Sequence, residues 1–234
     1  MARKSDLRKQ RGGTVINHRS KKDEGKLGTS IDLLRAKLGK EFKLKLTHEK
    51  EWRLKDVVER LKHLFPDVDF AYKFDSSAMR PDGGILSIES DKGVLYPILI
   101  TEVKNQGTND LRANEGKPKQ AKGNAIERLG KNVIGFRTAL LGENIVPFVC
   151  FGYGCDFDDS SSILDRVTTI AMFGPLNRIS VVNEGEGGIF NRGSFFFRED
   201  RWSEKEMVDV MYEVAKRSIH YYFAKYGDKY FKYA

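Results

Sequence analysis

The stretch RPDGGILSIESDKGVLYPILITEVKNQG, Arg80 to Gly107, decides the fold. Two apolar runs, about Gly84–Ser90 and Val94–Lys104, flank Ser90-Asp91-Lys92-Gly93 and read together as a β-hairpin with a tight turn. Side chains two apart on a strand share a face. Ile98, Ile100, Glu102 and Lys104 are therefore expected on one side of the second strand, and Leu99, Thr101 and Val103 on the other. The strand is apolar on both faces until Glu102, which marks it as a central strand covered on both sides. Its charges fall where a core strand emerges from its sheet. The partner strand begins at that same end, where Gly83 and Gly84 allow a sharp turn. Asp82, Glu102 and Lys104 are thereby expected to converge.

Working outward, TSIDLLRAKLG (29–39) reads as a helix with Thr29 or Ser30 as N-cap and Ile31, Leu34 and Leu38 on one face. LKDVVERLKHLF (54–65) follows the helical period and ends before Pro66. DVDFAYKF (67–74) alternates and predicts a strand. A helix is expected from Asn124 to about Leu141, a buried strand in NIVPFVCFGYG (144–154) and a helix in SSSILDRVTTIAMFG (160–174). RISVVNEG (178–185) and GSFFFRED (193–200) predict further strands. The last helix begins at Ser203, with Glu206 completing a capping box and Met207, Val210, Met211 and Val214 facing inward. Alternating helices and apolar strands predict an α/β fold, a mixed sheet covered by helices.

The 234 residues suit one domain. Residues 1–26 hold nine Lys or Arg and three acids, a net charge of +6 out of +8 for the whole chain. This predicts a basic, disordered N-terminal arm over 1–26 and a single domain over 27–234. Such an arm suits a polyanion, or serves as a solubilising tail. No apolar run reaches the roughly 18 residues of a membrane span, and the basic start lacks the apolar segment of a secretory signal. Cys150 and Cys155 have neither redox-pair nor zinc-site spacing and read as reduced thiols of a cytoplasmic protein.

Two carboxylates at one strand end offer hard oxygen ligands suited to Mg²⁺. Such an ion can hold a scissile phosphate oxygen and acidify a bound water, and an ammonium beside it can orient that water. The residues alone also fit a solvent-exposed ion pair. The second informative stretch is KGNAIERLGKN (122–132). Asn124 and Glu127 fit a helix cap. Lys117, Lys119 and Lys122 upstream, with Arg128 in the first turn, oppose the helix dipole unless phosphate neutralises them. Asn124 is at once a cap and a side chain able to bond an adenine edge bidentately.

PDGG (81–84), EVKNQG (102–107) and GNAIER (123–128), in that order, resemble the EcoRI type of restriction endonucleases. LDR (164–166), P-L-N (175–177) and RWS-x-K (201–205) extend the likeness, which spans about residues 30 to 230. The resemblance implies the restriction endonuclease-like fold, with a central mixed five-stranded sheet flanked by helices. It also implies a type II site-specific deoxyribonuclease of a restriction–modification system. Such enzymes are homodimers that cut double-stranded DNA with Mg²⁺ at a palindrome, here one containing AATT, and leave 5′ overhangs. By that likeness Asp82 and Glu102 hold the metal and Lys104 assists the attacking water. Asn124 and Arg128 read bases, Ala125 sits against them, and Glu127 orients an arginine across the dimer. Lys122, Gly123 and Arg166 complete the DNA-facing set. Ile163 stands where the family has an arginine that reads the outer guanine, so the inner AATT is implied and the outer base pair is not. A structure-directed or repair nuclease with the same metal site, or a non-catalytic DNA-binding module, are the competing readings. Mg²⁺-dependent cleavage separates off the binding module, and a single repeated cut site separates off the structure-directed nuclease.

Overall fold

A computed structural model describes residues 13–105, 116, 124–154, 156–170 and 175–234. In chain order the elements are α1 (Gly13–Phe42), β1 (Leu46–Glu49), β2 (Trp52–Arg53), α2 (Leu54–Leu64), β3 (Ala78–Met79), β4 (Ile85–Glu89), β5 (Leu95–Asn105), α3 (Asn124–Ala139), β6 (Phe148–Tyr153), α4 (Ser162–Ile170), β7 (Ser194–Arg198) and α5 (Glu204–Tyr226). Five strands form one mixed sheet in the order β1-β4-β5-β6-β7. β1, β4 and β5 run antiparallel, and β6 and β7 continue parallel to β5. The α/β class and the five-stranded sheet agree with expectation.

The β4–β5 hairpin closes at Ser90–Gly93, where Gly93 N donates to Ser90 O (2.8 Å) and Val94 N to Ser90 Oγ (3.0 Å). Its register carries an irregularity. Leu86 pairs with Leu99 but Ser87 pairs with Pro97, so Ile98 is the extra residue of a bulge. Pro97 has no N–H for the ladder, which favours a break there. The bulge corrects one expectation. Ile98 joins Leu99 in the cluster built with α1 and α5, while Ile100 faces the cluster built with α3. Beyond the bulge the alternation resumes and carries Glu102 to the α3 side.

One layer consists of Leu27, Ile31, Leu34 and Leu38 of α1 with Met207, Met211, Val214 and Ile219 of α5, packed on Leu86, Leu99, Val149 and Phe151. The opposite layer sets Ile126, Leu129, Val133 and Phe136 of α3 against Ile85, Ile100, Phe148, Cys150 and Phe195. β6 shows how one apolar strand serves both layers, since Phe148 and Cys150 face one cluster and Val149 and Phe151 the other. α5 opens as expected, with Ser203 and Glu206 in a reciprocal capping box.

Four expectations give way. α1 begins at Gly13, so Gly13–Lys26 are helical where a disordered arm was expected; residues 1–12 lie outside the described residues. Thr29 and Ser30 are interior to this helix and donate their hydroxyls back to Gly25 O (3.2 Å) and Lys26 O (2.9 Å) instead of capping. The extension has a tertiary anchor. Asp23 is buried and accepts from Asn105 Nδ2 (2.8 Å) and Tyr153 Oη (2.5 Å) at the ends of β5 and β6. Helix growth from the packed turns at Leu27–Leu38 is cooperative, so the preceding turns follow. DVDFAYKF forms no strand; Phe70 packs against Val57, Leu61 and Ala139, while Val68, Tyr72 and Phe74 are exposed. RISVVNEG contributes only an isolated bridge, Ile145 to Val182.

Candidate active site

The site sits at the C-terminal end of β5, where the strand has left the bulge and still has β6 beside it. Glu102 pairs in register with Cys150, and Lys104 with Gly152. The approach from the other side is set by the Pro81–Gly84 turn. Gly83 N donates to Thr101 O (3.0 Å), Gly84 N to Pro81 O (3.0 Å), and Thr101 N to Gly84 O (3.2 Å). His48 Nε2 lies 2.9 Å from Gly83 O, tying the turn to β1 as well.

Both glycines are required by this close approach. A Cβ on Gly83 would come within 2.0 Å of Thr101 Oγ1. Gly84 has φ +75° and its Cβ would meet the Glu49 carbonyl oxygen at 2.6 Å, a backbone atom that cannot swing away. Gly84→Ala is therefore expected to lower stability by about 1–3 kcal/mol. It should also depress activity, because the displaced turn carries Asp82. Urea unfolding measures the first effect and a cleavage assay the second.

The three expected residues do meet. Lys104 Nζ donates to Asp82 Oδ2 at 2.9 Å and also bonds Glu102 Oε1. Asp82 N donates to Glu102 Oε2 (3.1 Å) and Val103 N to Asp82 Oδ2 (3.1 Å). Glu102 is only 1% exposed, so its charge depends on these partners. Burial raises the Glu102 carboxyl above its ordinary range, with the Asp82 charge adding and the Lys104 charge opposing. For Lys104 burial works in the opposite sense, yet the charges of Glu102 and Asp82 prevail and lift its ammonium above the usual lysine range. The two carboxylates thus favour the protonated ammonium at Lys104, a hydrogen-bond donor. The Cys150 thiol behind Glu102 is pushed up by burial and next by the Glu102 charge, which leaves it protonated and unreactive.

The donor set fits a hard divalent cation. A single ammonium nitrogen already bonds one oxygen from each carboxylate, so both acids address one cationic centre. No cluster of three or more His, Cys, Asp or Glu side chains occurs among the described residues. Two carboxylates with water and phosphate in the remaining positions is the ligand pattern of Mg²⁺ at phosphoryl sites.

α3 opens at Asn124 and packs on this layer of the sheet. Lys122 and Gly123 lie outside the described residues, as do the side chains of Asn124, Glu127, Arg128 and Arg166. Ala125, expected against DNA bases, is 7% exposed and clusters with Ile126, Leu129 and Ile100. The far end of α3 is held by Arg60, which donates to Ala139 O (2.7 Å) and lies over the Trp52 ring.

Three residues that touch this machinery were not legible in the sequence. Asn132 Nδ2 donates to Glu102 Oε1 at 2.7 Å, His48 braces Gly83, and Asp23 braces Asn105, the residue after Lys104. The one local signal was Asn132, a polar residue among the apolar Leu129, Val133 and Phe136 of α3.

The family model described as Restriction endonuclease EcoRI matches residues 10–163 and 158–229. The Type II restriction enzyme RsrI of Cereibacter sphaeroides is 32% identical over 213 residues, covering 76% of this chain and 75% of that enzyme. The Type II restriction enzyme EcoRI of Escherichia coli is 25% identical over 229 residues, covering 82% of this chain and 83% of that enzyme.

Proposed function

The chain belongs to the EcoRI family and is a type II restriction endonuclease, a site-specific deoxyribonuclease, and from that premise we propose that it cuts double-stranded DNA with Mg²⁺ at a palindrome containing AATT. In this reading the enzyme acts in the cytoplasm as a homodimer, one active site per strand, and leaves 5′ overhangs; a two-fold protein matches a two-fold site. No described helix is long and apolar enough to cross a membrane. The observation that carries the reading is the Lys104 ammonium bonded at once to Asp82 and Glu102 at the end of a buried strand.

Asp82 and Glu102 would hold the metal, which supplies Lewis acidity at the scissile phosphate and a lowered pKa for bound water. Lys104, kept cationic by its two neighbours, orients the attacking water and offsets charge on the phosphate. The Pro81–Gly84 turn ties Asp82 to β5, with Asp82 N donating to Glu102 Oε2 and Val103 N to Asp82 Oδ2. Asn124, Glu127 and Arg128 at the start of α3, with Lys122, Gly123 and Arg166, form the proposed DNA-reading set. Digestion of a phage genome with Mg²⁺, followed by sequencing of the ends, tests the whole reading. One repeated AATT-containing site with 5′ overhangs is expected, and cuts scattered without a common sequence would overturn it.

The N-terminal segment binds phosphates in this reading. Residues 1–12 carry Arg3, Lys4, Arg8, Lys9 and Arg11, and deleting them leaves the buried Asp23 hydrogen bonds of α1 in place. Such a truncation is expected to weaken DNA binding and to flatten its salt dependence, by about 0.9 in log–log slope for each phosphate that is no longer neutralised. Site choice should survive, because phosphate contacts position and base contacts specify. Binding isotherms across a salt series measure the slope; an unchanged value would make the segment a solubility tail.

A further inference from the structure

We propose that Asn132 is a positioning residue for cleavage, the link through which α3 fixes the orientation of the Glu102 carboxylate. This rests on the proposed role of Glu102 as a metal ligand. Asn132 Nδ2 stands 2.7 Å from Glu102 Oε1. The amide nitrogen is the end that faces the carboxylate, since an ionised carboxylate only accepts. Among the described residues, the other partners of Glu102 come from its own hairpin and the turn that leads into it, namely Lys104 Nζ on Oε1 and Asp82 N on Oε2. Asn132 therefore supplies a bond from a different element, and that element is the helix whose first turns carry Asn124, Glu127 and Arg128.

The helix is well placed to transmit position. Leu129, Val133 and Phe136 flank Asn132 and are 0–2% exposed, so the backbone at Asn132 has little freedom. Arg128 and Asn132 are four residues apart, neighbours on one helical face. α3 thereby joins the turns that carry Asn124, Glu127 and Arg128 to the Oε1 bond in one packed element. A ligating carboxylate held by such an outer partner binds its metal with a defined oxygen presented, and loss of the partner lowers metal affinity or rate by about 10–100-fold.

Asn132→Leu removes the donor at nearly constant volume. Calorimetric titration with Ca²⁺, a hard oxygen-seeking cation like Mg²⁺, is made on the full chain bound to an AATT-containing duplex. Single-turnover cleavage is followed across a Mg²⁺ series, and binding of the same duplex is measured without metal. The expected result is a Ca²⁺ dissociation constant and a Mg²⁺ midpoint raised about 10–100-fold, with metal-free DNA binding within about 3-fold of the parent. An unchanged cation affinity and midpoint would overturn the proposal. So would a parallel loss of metal-free DNA binding, which would mean that Asn132 merely shapes α3. Should Asn132→Leu unfold, Asn132→Ser, polar but too short to reach Glu102, carries the same test. Glu102→Gln in the same titration separates the layers of the argument. If it leaves Ca²⁺ affinity intact, the metal assignment itself fails; if it abolishes binding while the Asn132 variants are silent, only the positioning role fails.

Discussion

Glu102→Gln is expected to reduce cleavage by about 10³-fold or more, near 4 kcal/mol of transition-state stabilisation, while the protein stays folded and still binds DNA. Glutamine keeps the size of the side chain and one carbonyl oxygen for Asn132 and Lys104. It removes the charge that the proposed metal needs and turns an amide group towards Asp82 N. Asp82→Ala should be equally inactive, because Asp82 is the second acid on the same centre. Lys104→Ala should lose cleavage by a different route, through the donor for the attacking water, and it leaves α3 untouched. Single-turnover rates with Mg²⁺ measure all three, and thermal melting checks the fold. A Glu102→Gln protein that cut at the parent rate would exclude this cluster as the catalytic centre.

Asn124→Asp is the second large effect, and it falls on recognition. Aspartate caps a helix as well as asparagine, so stability should hardly change. It cannot donate to a base, and it brings negative charge towards the groove. A bidentate contact is worth about 1–3 kcal/mol of discrimination. In the proposed homodimer that loss is felt once per half-site. Roughly 30-fold to 10⁴-fold weaker specific binding to an AATT duplex is expected, from about 2–6 kcal/mol in total. Competition binding against a scrambled duplex, alongside thermal melting, reads both consequences together. If the variant still preferred AATT as the parent does, Asn124 would be a helix cap alone and a structure-directed nuclease would become the better account.

These two experiments probe features that the sequence states locally. The hairpin is legible because its apolar runs, its Ser-Asp-Lys-Gly turn and its glycine pair lie within one short stretch. Period and turn chemistry act over a few residues. The convergence of Asp82, Glu102 and Lys104 follows from that hairpin alone, since strand alternation and a glycine turn bring them to one end. The Ser203–Glu206 box is equally local, and the structure holds it as written.

What the sequence could not determine by itself depends on which distant surfaces meet. The same amphipathic pattern that marks a helix at 29–39 does not say that the helix starts at Gly13. That is decided by Asp23 meeting Asn105, 82 residues away in sequence, and Tyr153, 130 away. DVDFAYKF has a strand's alternation but pairs with no strand; Phe70 packs on the cluster of Val57, Leu61 and Ala139, and Val68, Tyr72 and Phe74 stay exposed. The bulge at Ile98 arises where Pro97 meets Ser87 across the hairpin, a matter of register between two strands rather than of either one. The Asn132–Glu102 bond spans 30 residues and exists only because α3 packs on the layer that β5 turns towards it. Local propensity chose the elements and gathered the cluster of Asp82, Glu102 and Lys104. Tertiary packing chose which side chains would brace it, because a hydrogen bond between remote residues is specified by the position of whole elements and by nothing in the residues' own neighbourhoods.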